Sequence, residues 1–318
     1  MLKTIISRDH INMPSLNIGT RGSPLALAQV ELVKLKIAQA FPNMQLNVTP
    51  MVTTGDTRTD IKLCEIGGKG LFTLELERAL HDQKIDIAVH SMKDVETFIG
   101  DDFLIAAMIE RDDPRDVFVA RSGVSYQTLP LGAQIGTSSV RRAALALNRR
   151  EDLEIVTLRG NVQTRLDKIL QGQLDGTFLA MAGLKRLGIG QYASEILSVE
   201  EFTPAVGQGG IGIQCLKKRT DIQDILGTIN HKQTFEAITL ERGFLEEISG
   251  SCGTPVGGHV RFIDNHSVEF HGCAITPDGK SVLRETFIKS PEEIESSIRS
   301  FGKECRQWLL DHGVDLCS

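Results

Sequence analysis

The chain has 318 residues, with 35 Lys and Arg against 41 Asp and Glu, for a net charge of −6. Aromatics make up 5% of it and there is one Trp, which excludes the basic, ring-bearing face of a nucleic-acid binder. No apolar run is long enough to span a bilayer, and the length allows two or three domains with sizeable cores.

The opening stretch MLKTIISRDHINMPSLN lacks the continuous apolar segment of a secretory signal. Residues 1–14 read as a flexible tail, with Met13 as an alternative start. Cys64, Cys215, Cys252, Cys273, Cys305 and Cys317 show no C-x-x-C and no ligand-like spacing to His, so no metal is expected. They read as free thiols of a reducing, cytoplasmic compartment.

Two segments echo each other. LNIGTRGSPLALAQ from Leu16 and AQIGTSSVRRAALALN from Ala133 each read as a strand ending in IGT, a polar turn and an Ala/Leu-rich helix. LHDQKIDIAVHSMKDV (80–95) and LQGQLDGTFLAMAGLKRL (170–187) form a second echo: a helix end, an Asp, an apolar strand and a new turn. The repeat predicts two α/β lobes with ligand-facing loops after their strands and a cleft between them. ERDDPR (110–115) marks one lobe crossing and TPAVGQGG (203–210) the return, a two-stranded hinge. The expected division is 15–109 with 210–227 as lobe one and 115–203 as lobe two. Residues 230–318 form a small α+β domain.

In that last part, DIQDILGTIN and TFEAITLERGFLEEI read as helices. TPVGGHVRFID, SVEFHGCAI and SVLRETFIK read as antiparallel strands joined by turns at Asp264–Asn265 and Pro277–Gly279. A closing amphipathic helix is expected, with Ser290 as cap and Pro291 at its first position.

The arginines carry the strongest signal. Arg141 and Arg142 in GTSSVRR, and Arg159 and Arg165 in LRGNVQTR, sit at two predicted helix starts. There, free amides and guanidinium forks converge on anions. One such Arg is more often a surface ion pair; four at two helix starts favour an anion pocket. GQGGIG at Gly207–Gly212 follows no clear strand and precedes one, the wrong order for a dinucleotide site, so it reads as hinge. GGKG (67–70) lacks the P-loop spacing and reads as a flexible glycine loop, with Lys69 able to reach an anion. AVHSMKDV places His90, Lys93 and Asp94 after an apolar strand, where α/β folds put chemistry. Among cationic neighbours Asp94 is expected to stay ionised; the competing reading is a helix cap. SGSCGTPVGG sets Cys252 on a glycine loop, open to a nucleophile or attachment role rather than a small core position.

Taken in order, LNIGTRGSPLALAQ, GGKGLF, DIAVHSMKDV, ERDDPRDVFV, GTSSVRR, LRGNVQTRL, AGLKRLG, PAVGQGG and the Cys252 loop closely resemble the porphobilinogen deaminase family, from about Leu16 to Gly279. The resemblance implies two periplasmic-binding-protein-like (type II) α/β lobes with a hinge and a small α+β C-terminal domain. It implies a transferase of tetrapyrrole (haem) biosynthesis that joins four porphobilinogen molecules head to tail with loss of ammonia. The product is linear hydroxymethylbilane, built on a dipyrromethane cofactor attached through Cys252. It assigns catalysis to Asp94 and cofactor contacts to Lys93, Ser139, Arg141 and Arg142. Substrate contacts fall to Arg21, Ser23, Phe72, Arg159, Arg165, Arg186 and Gln208. A cytoplasmic monomer with no membrane or nucleic-acid partner is the family expectation. A chain that gains two carboxylates per unit needs several guanidiniums in one cleft, and a fixed carboxylate stabilises the cationic, azafulvene-like species left by deamination. The chain departs from the pattern at Glu65, where some members have Lys, and at Gly253, where many have Gln or Arg. A non-catalytic anion-binding module would explain the arginines but not Cys252 or Asp94. A relative that has lost activity is disfavoured because both residues are present.

Overall fold

The computed structural model describes residues 13–57, 72–121, 123–249 and 253–316. Strand β1 (Ser15–Arg21) passes through Ser23 into α1 (Pro24–Ala40), followed by β2 (Gln45–Met51) and the single turn α2 (Thr54–Thr57). Helix α1 starts where it does because the Ser23 hydroxyl accepts from the Ala26 amide and Pro24 stands at its first position. Ala26, Val30, Val33 and Ile37 then recur at helical spacing and are buried. After α3 (Leu74–His81) come β3 (Ile87–Ser91) and β4 (Phe103–Met108).

The chain crosses over and builds β5 (Asp116–Ala120), β6 (Gln134–Gly136), α4 (Val140–Arg149) and β7 (Glu154–Val156). It continues through α5 (Val162–Leu170), β8 (Gly176–Ala180), α6 (Met181–Arg186) and β9 (Glu195–Ile196). It returns as β10 (Ile211–Leu216) and α7 (Thr220–Gly227). Helix α8 (Lys232–Ile248), strands β11 (Val256–Phe262), β12 (Val268–Ile275) and β13 (Val282–Lys289), and α9 (Ile294–Asp311) close it.

The strands form two five-stranded sheets and one three-stranded sheet, ordered β2-β1-β3-β10-β4, β7-β6-β8-β5-β9 and β11-β12-β13. The five-stranded sheets are built alike. In each, two parallel pairings run from the edge strand to the third strand, and the fourth strand, which arrives from the other lobe, is antiparallel. The echoed IGT segments occupy the same place: Gly19 pairs with Ala88 and Gly136 with Thr177. A Cβ on Gly19 would meet Ile85 and Leu76, and one on Gly136 would meet Leu174 and Leu158. Both glycines therefore let apolar side chains close onto the strand. This is the type II periplasmic-binding-protein arrangement of two lobes joined by two crossings.

The crossings lie side by side. The Asp112 amide donates to the Gly209 carbonyl at 3.3 Å and the Ile109 amide to the Ile211 carbonyl at 3.3 Å. Gly209 has φ +86°, and a Cβ there would stand 2.5 Å from the Asp112 carbonyl oxygen, so only glycine fits this approach. Between the crossings and the third sheet lies Glu241, fully buried on α8. It holds Arg111 of the first crossing, the Gly207 amide of the second and the Val260 amide of β11.

The three-stranded sheet packs against α8 and α9 through Phe244, Phe270 and Phe301, with Ile294, Ile298, Cys305 and Leu309. Its strands follow the expected hairpins. The start of α9 does not. Glu293 is the cap and the helix begins at Ile294, because the chain first makes a turn in which the Glu293 and Ile294 amides both donate to the Ser290 carbonyl. The Ser290 hydroxyl is spent on the Glu293 carboxylate, and Pro291 serves the turn rather than the first helical turn.

Candidate active site

Asp94 ends a 3₁₀ turn, Met92–Asp94, that directly follows β3. The residue in the cap position is Ser91, so the structure gives Asp94 no helix-cap role. Its carboxylate faces a cavity of about 50 Å³ lined by Arg21, Ser23, Gln29, Phe72, His90 and Ser91. Among the described residues Asp94 is the only acid in that lining. An Arg21 Nη1 lies 3.9 Å from Asp94 Oδ2, and the guanidinium stacks 4.2 Å from the Phe72 ring centroid. Gln29, buried on α1, donates to Ser91 Oγ at 2.7 Å. His90 sits under this floor, 2.9 Å from Gln214 Oε1, and burial drives its pKa down to about 4, so it is neutral near pH 7.

Lys93 turns the other way. Its Nζ donates to Gln208 Oε1 at 3.3 Å. Burial, reinforced by Arg142, brings its pKa down to about 8 against the pull of Asp94 and Asp116. Arg165, on the first turn of α5 behind the Asn161 cap, donates to the Gly160 carbonyl. Burial and then Arg142 lower its pKa to about 10, with Asp94 opposing. Lys93, Arg142, Arg165, Asp94 and Asp116 therefore share one electrostatic neighbourhood.

Arg141 and Arg142 begin α4 behind the Ser139 cap and are 4% and 6% exposed. Both converge on Asp116, the first residue of β5, which is 0% exposed. Arg141 Nη2 reaches Asp116 Oδ2 at 2.7 Å, and Arg142 Nη2 reaches Oδ1 at 2.6 Å. Arg141 also donates to the Thr203 carbonyl and Arg142 to the Phe178 carbonyl. Gln208 Nε2 donates to Asp116 Oδ1 at 3.0 Å. Burial pushes the Asp116 carboxyl up, but the two guanidiniums outweigh it and hold the group at about 2. Among the described residues five cations (Arg21, Arg141, Arg142, Arg165, Lys93) face two carboxylates (Asp94, Asp116), a net charge of +3 that calls for an anionic ligand.

A larger cavity, about 840 Å³, lies between the start of α4 and the third sheet. Thr137, Ser138, Ser139, Arg159, Gly253 and Lys280 are among its walls. Cys252, next to Gly253, lies outside the described residues, as do Glu65, Lys69 and the rest of the glycine loop. Arg186 goes elsewhere. Its Nη2 donates to the Gly209 carbonyl at 2.5 Å, and it lines a cavity of about 380 Å³ beside the first crossing that shares no lining residue with the Asp94 cavity. Sequence reasoning missed Asp116, Gln29 and Glu241. Asp116 sits inside ERDDPRD, where nothing distinguishes it from the acids beside it. Only the outward run of apolar residues after it, VFVA, signals that it opens a buried strand.

Two family models cover most of the chain: "Porphobilinogen deaminase, dipyromethane cofactor binding domain" over residues 16–224 and "Porphobilinogen deaminase, C-terminal domain" over residues 235–311. The porphobilinogen deaminase of Shouchella clausii is 42% identical over 86% of this chain and 88% of its own length. That of Nitrobacter winogradskyi is 45% identical over 85% of each, and that of Alkaliphilus metalliredigens 41% identical over 95% and 94%. Among solved structures, the periplasmic VFT2 domain of Bordetella pertussis BvgS overlaps 68% of this chain and 86% of its own at 13% identity and a TM-score of 0.40, a likeness on which nothing further is built. With identities at this level along nearly the whole sequence, the chain belongs to the porphobilinogen deaminase family.

Proposed function

We propose that the cleft around Asp94 performs the family's reaction with the residues named below. The chain is a transferase of tetrapyrrole biosynthesis that joins porphobilinogen units head to tail and releases ammonia at each addition. The observation that carries the residue assignment is Asp94 as the only acid among the described residues of a cavity bordered by Arg21, next to a neighbourhood with excess positive charge.

Asp94 orients the substrate's protonated amine; as the C–N bond breaks with its electron pair going to nitrogen and ammonia leaves, the carboxylate balances the cation that remains on the substrate carbon. Arg21 takes a substrate carboxylate while held flat against Phe72, and Ser23 and Gln29 supply polar contacts in the same cavity. Arg165 faces the same charge centre and takes a second carboxylate. Neutral His90 keeps the cavity floor uncharged. Arg186 and Gln208 sit at the hinge, so their contribution to substrate binding follows lobe closure.

The residues present fit a dipyrromethane group. The cavity beside Gly253 has room for it, and its walls offer the α4 amides behind Ser139, Arg159 and Lys280 to carboxylates. The dipyrromethane, held by Cys252, supplies a fixed pyrrole acceptor for the first incoming unit. Ser139, in that wall, would hold its acid groups together with Arg141, Arg142 and Lys93, which line neither that cavity nor the one at Asp94. Burial pushes the Cys215 thiol up to about 11 and raises that of Cys305 further, which leaves both as poor nucleophiles and supports the choice of Cys252. The reading includes a cytoplasmic monomer and the division 15–109 with 210–227, 115–203 and 230–318, which the three sheets support. Among the described residues no helix is long and apolar enough to cross a membrane.

The test is single-turnover ammonia release by cofactor-loaded variants. Asp94→Asn keeps the size but not the charge, and turnover should collapse with little change in melting temperature. Asp94→Glu should keep a small, measurable rate. A near-normal rate in Asp94→Asn removes Asp94 from the mechanism.

A further inference from the structure

We propose that Asp116 is a positioning residue that holds Arg141, Arg142 and Gln208 as one anion-binding unit and, through Gln208, fixes the Lys93 ammonium beside Asp94. The proposal rests on the reading that this pocket binds the acid groups of the cofactor.

The network is continuous and crosses every part of the cleft. Asp116 belongs to the second lobe, where it opens β5 and its carbonyl accepts from the Leu197 amide. One carboxylate oxygen takes Arg141. The other takes two bonds from Arg142, at 3.0 and 2.6 Å, and one from Gln208. Gln208 belongs to the return crossing. Its amide nitrogen also donates to the Pro114 carbonyl of the outgoing crossing at 2.7 Å, so both hinge segments fix its orientation. Its amide oxygen is thereby left to accept from Lys93 Nζ at 3.3 Å and from Arg142 Nη2 at 3.4 Å. Lys93 is adjacent to Asp94 on the 3₁₀ turn of the first lobe. Asp116 itself is fully buried and touches no cavity wall of the site, so it acts through these partners and not on substrate.

Two physical consequences follow. Without the carboxylate, two buried guanidiniums repel each other and lose their shared acceptor, so each fork is held by fewer bonds, Arg141 by the Thr203 carbonyl and Arg142 by the Phe178 carbonyl and the Gln208 amide oxygen. Gln208 loses one of the two acceptors that fix its amide plane, so its oxygen is no longer held toward Lys93. A role in folding alone would lower stability without changing how a folded molecule takes up its cofactor. A positioning role changes uptake in molecules that are folded.

The experiment uses full-length apo protein incubated with porphobilinogen, with covalent adduct followed by intact mass well below each variant's melting temperature. Asp116→Asn should form adduct about tenfold more slowly or worse than wild type, since members of one buried polar network couple strongly. Asp116→Glu, which keeps the charge, should recover part of that rate. Gln208→Leu leaves the Asp116–arginine pairs in place but releases Lys93; it should slow adduct formation less than Asp116→Asn does and lower kcat. Wild-type adduct formation by folded Asp116→Asn overturns the proposal. Should Asp116→Asn not fold, an unchanged kcat in Gln208→Leu overturns it. If wild type itself acquires no adduct, the cofactor reading fails, and this proposal with it.

Discussion

Glu241 offers the sharpest test of how the parts are joined. Its carboxylate is fully buried and accepts from Arg111 at 2.5 and 3.1 Å, from the Gly207 amide at 2.8 Å and from the Val260 amide at 2.8 Å. His259 Nδ1 stands 3.2 Å away. Glu241→Gln keeps the volume but leaves the Arg111 guanidinium without a counter-charge and gives an amide nitrogen to a site that needs acceptors only. Removing one partner of a buried pair costs about 3–5 kcal/mol. With an unfolding entropy of about 2.1 cal/mol/K per residue over 318 residues, that is a drop of about 5–7 °C in melting temperature for a single cooperative transition. Burial raises the Glu241 pKa, but Arg111 and His259 outweigh it and bring it to about 2, below the 4.5 of a free Glu. Its stabilising effect is therefore complete above pH 4.5 and is lost as pH falls towards 2. The assay is calorimetric melting of wild type and Glu241→Gln at pH 7 and in steps down to pH 3. The gap should be largest at pH 7 and narrow below pH 4.5. A gap under about 1 °C at pH 7, against the several degrees expected, or a constant gap at every pH, refutes the reasoning.

Gly209→Ala should lower the melting temperature and kcat together, because a Cβ would collide with the Asp112 carbonyl at a residue with φ +86°; unchanged kinetics would show that the close approach of the crossings is dispensable. His90, with a folded pKa of about 4 against 6.5 free, binds a proton more readily when unfolded, so wild type should lose stability as pH falls from 6.5 towards 4. His90→Gln should flatten that slope, and an equally steep slope in the variant contradicts the burial argument. Arg141→Leu should block cofactor assembly, whereas Arg186→Leu should spare the adduct and raise KM; intact mass and steady-state kinetics separate the two, and adduct retained by both variants would contradict the division of roles.

The sequence showed what repeats and what stays local. The IGT echoes at Ile18–Thr20 and Ile135–Thr137 marked equivalent strands because the same strand-to-helix packing demands the same small residue after an apolar one. Ser23, Ser139 and Asn161 were readable as helix starts because a cap is satisfied within three residues. Ser290 has the same composition signal, yet the turn that precedes α9 takes its carbonyl and hydroxyl. Asp116 and Glu241 were hidden for a different reason. Their hydrogen-bond partners lie 19 to 130 residues away, and an acid in ERDDPRD or LERGFLEEI looks like a solvated surface charge until topology buries it. The arginine motif was legible as an anion site; that its two central guanidiniums already share an internal carboxylate was not.

In the proposed function a covalently held dipyrromethane on Cys252 primes the chain. The measurement that tests it most directly is the intact mass of the purified wild-type protein beside Cys252→Ala, with peptide mapping of any adduct. The wild-type mass should exceed that of the sequence by two linked pyrrole units, localised to the peptide containing Cys252, and Cys252→Ala should be unadducted and inactive. An unmodified wild-type mass in active enzyme, or an adduct on the peptide of Cys215 or Cys273, would contradict it.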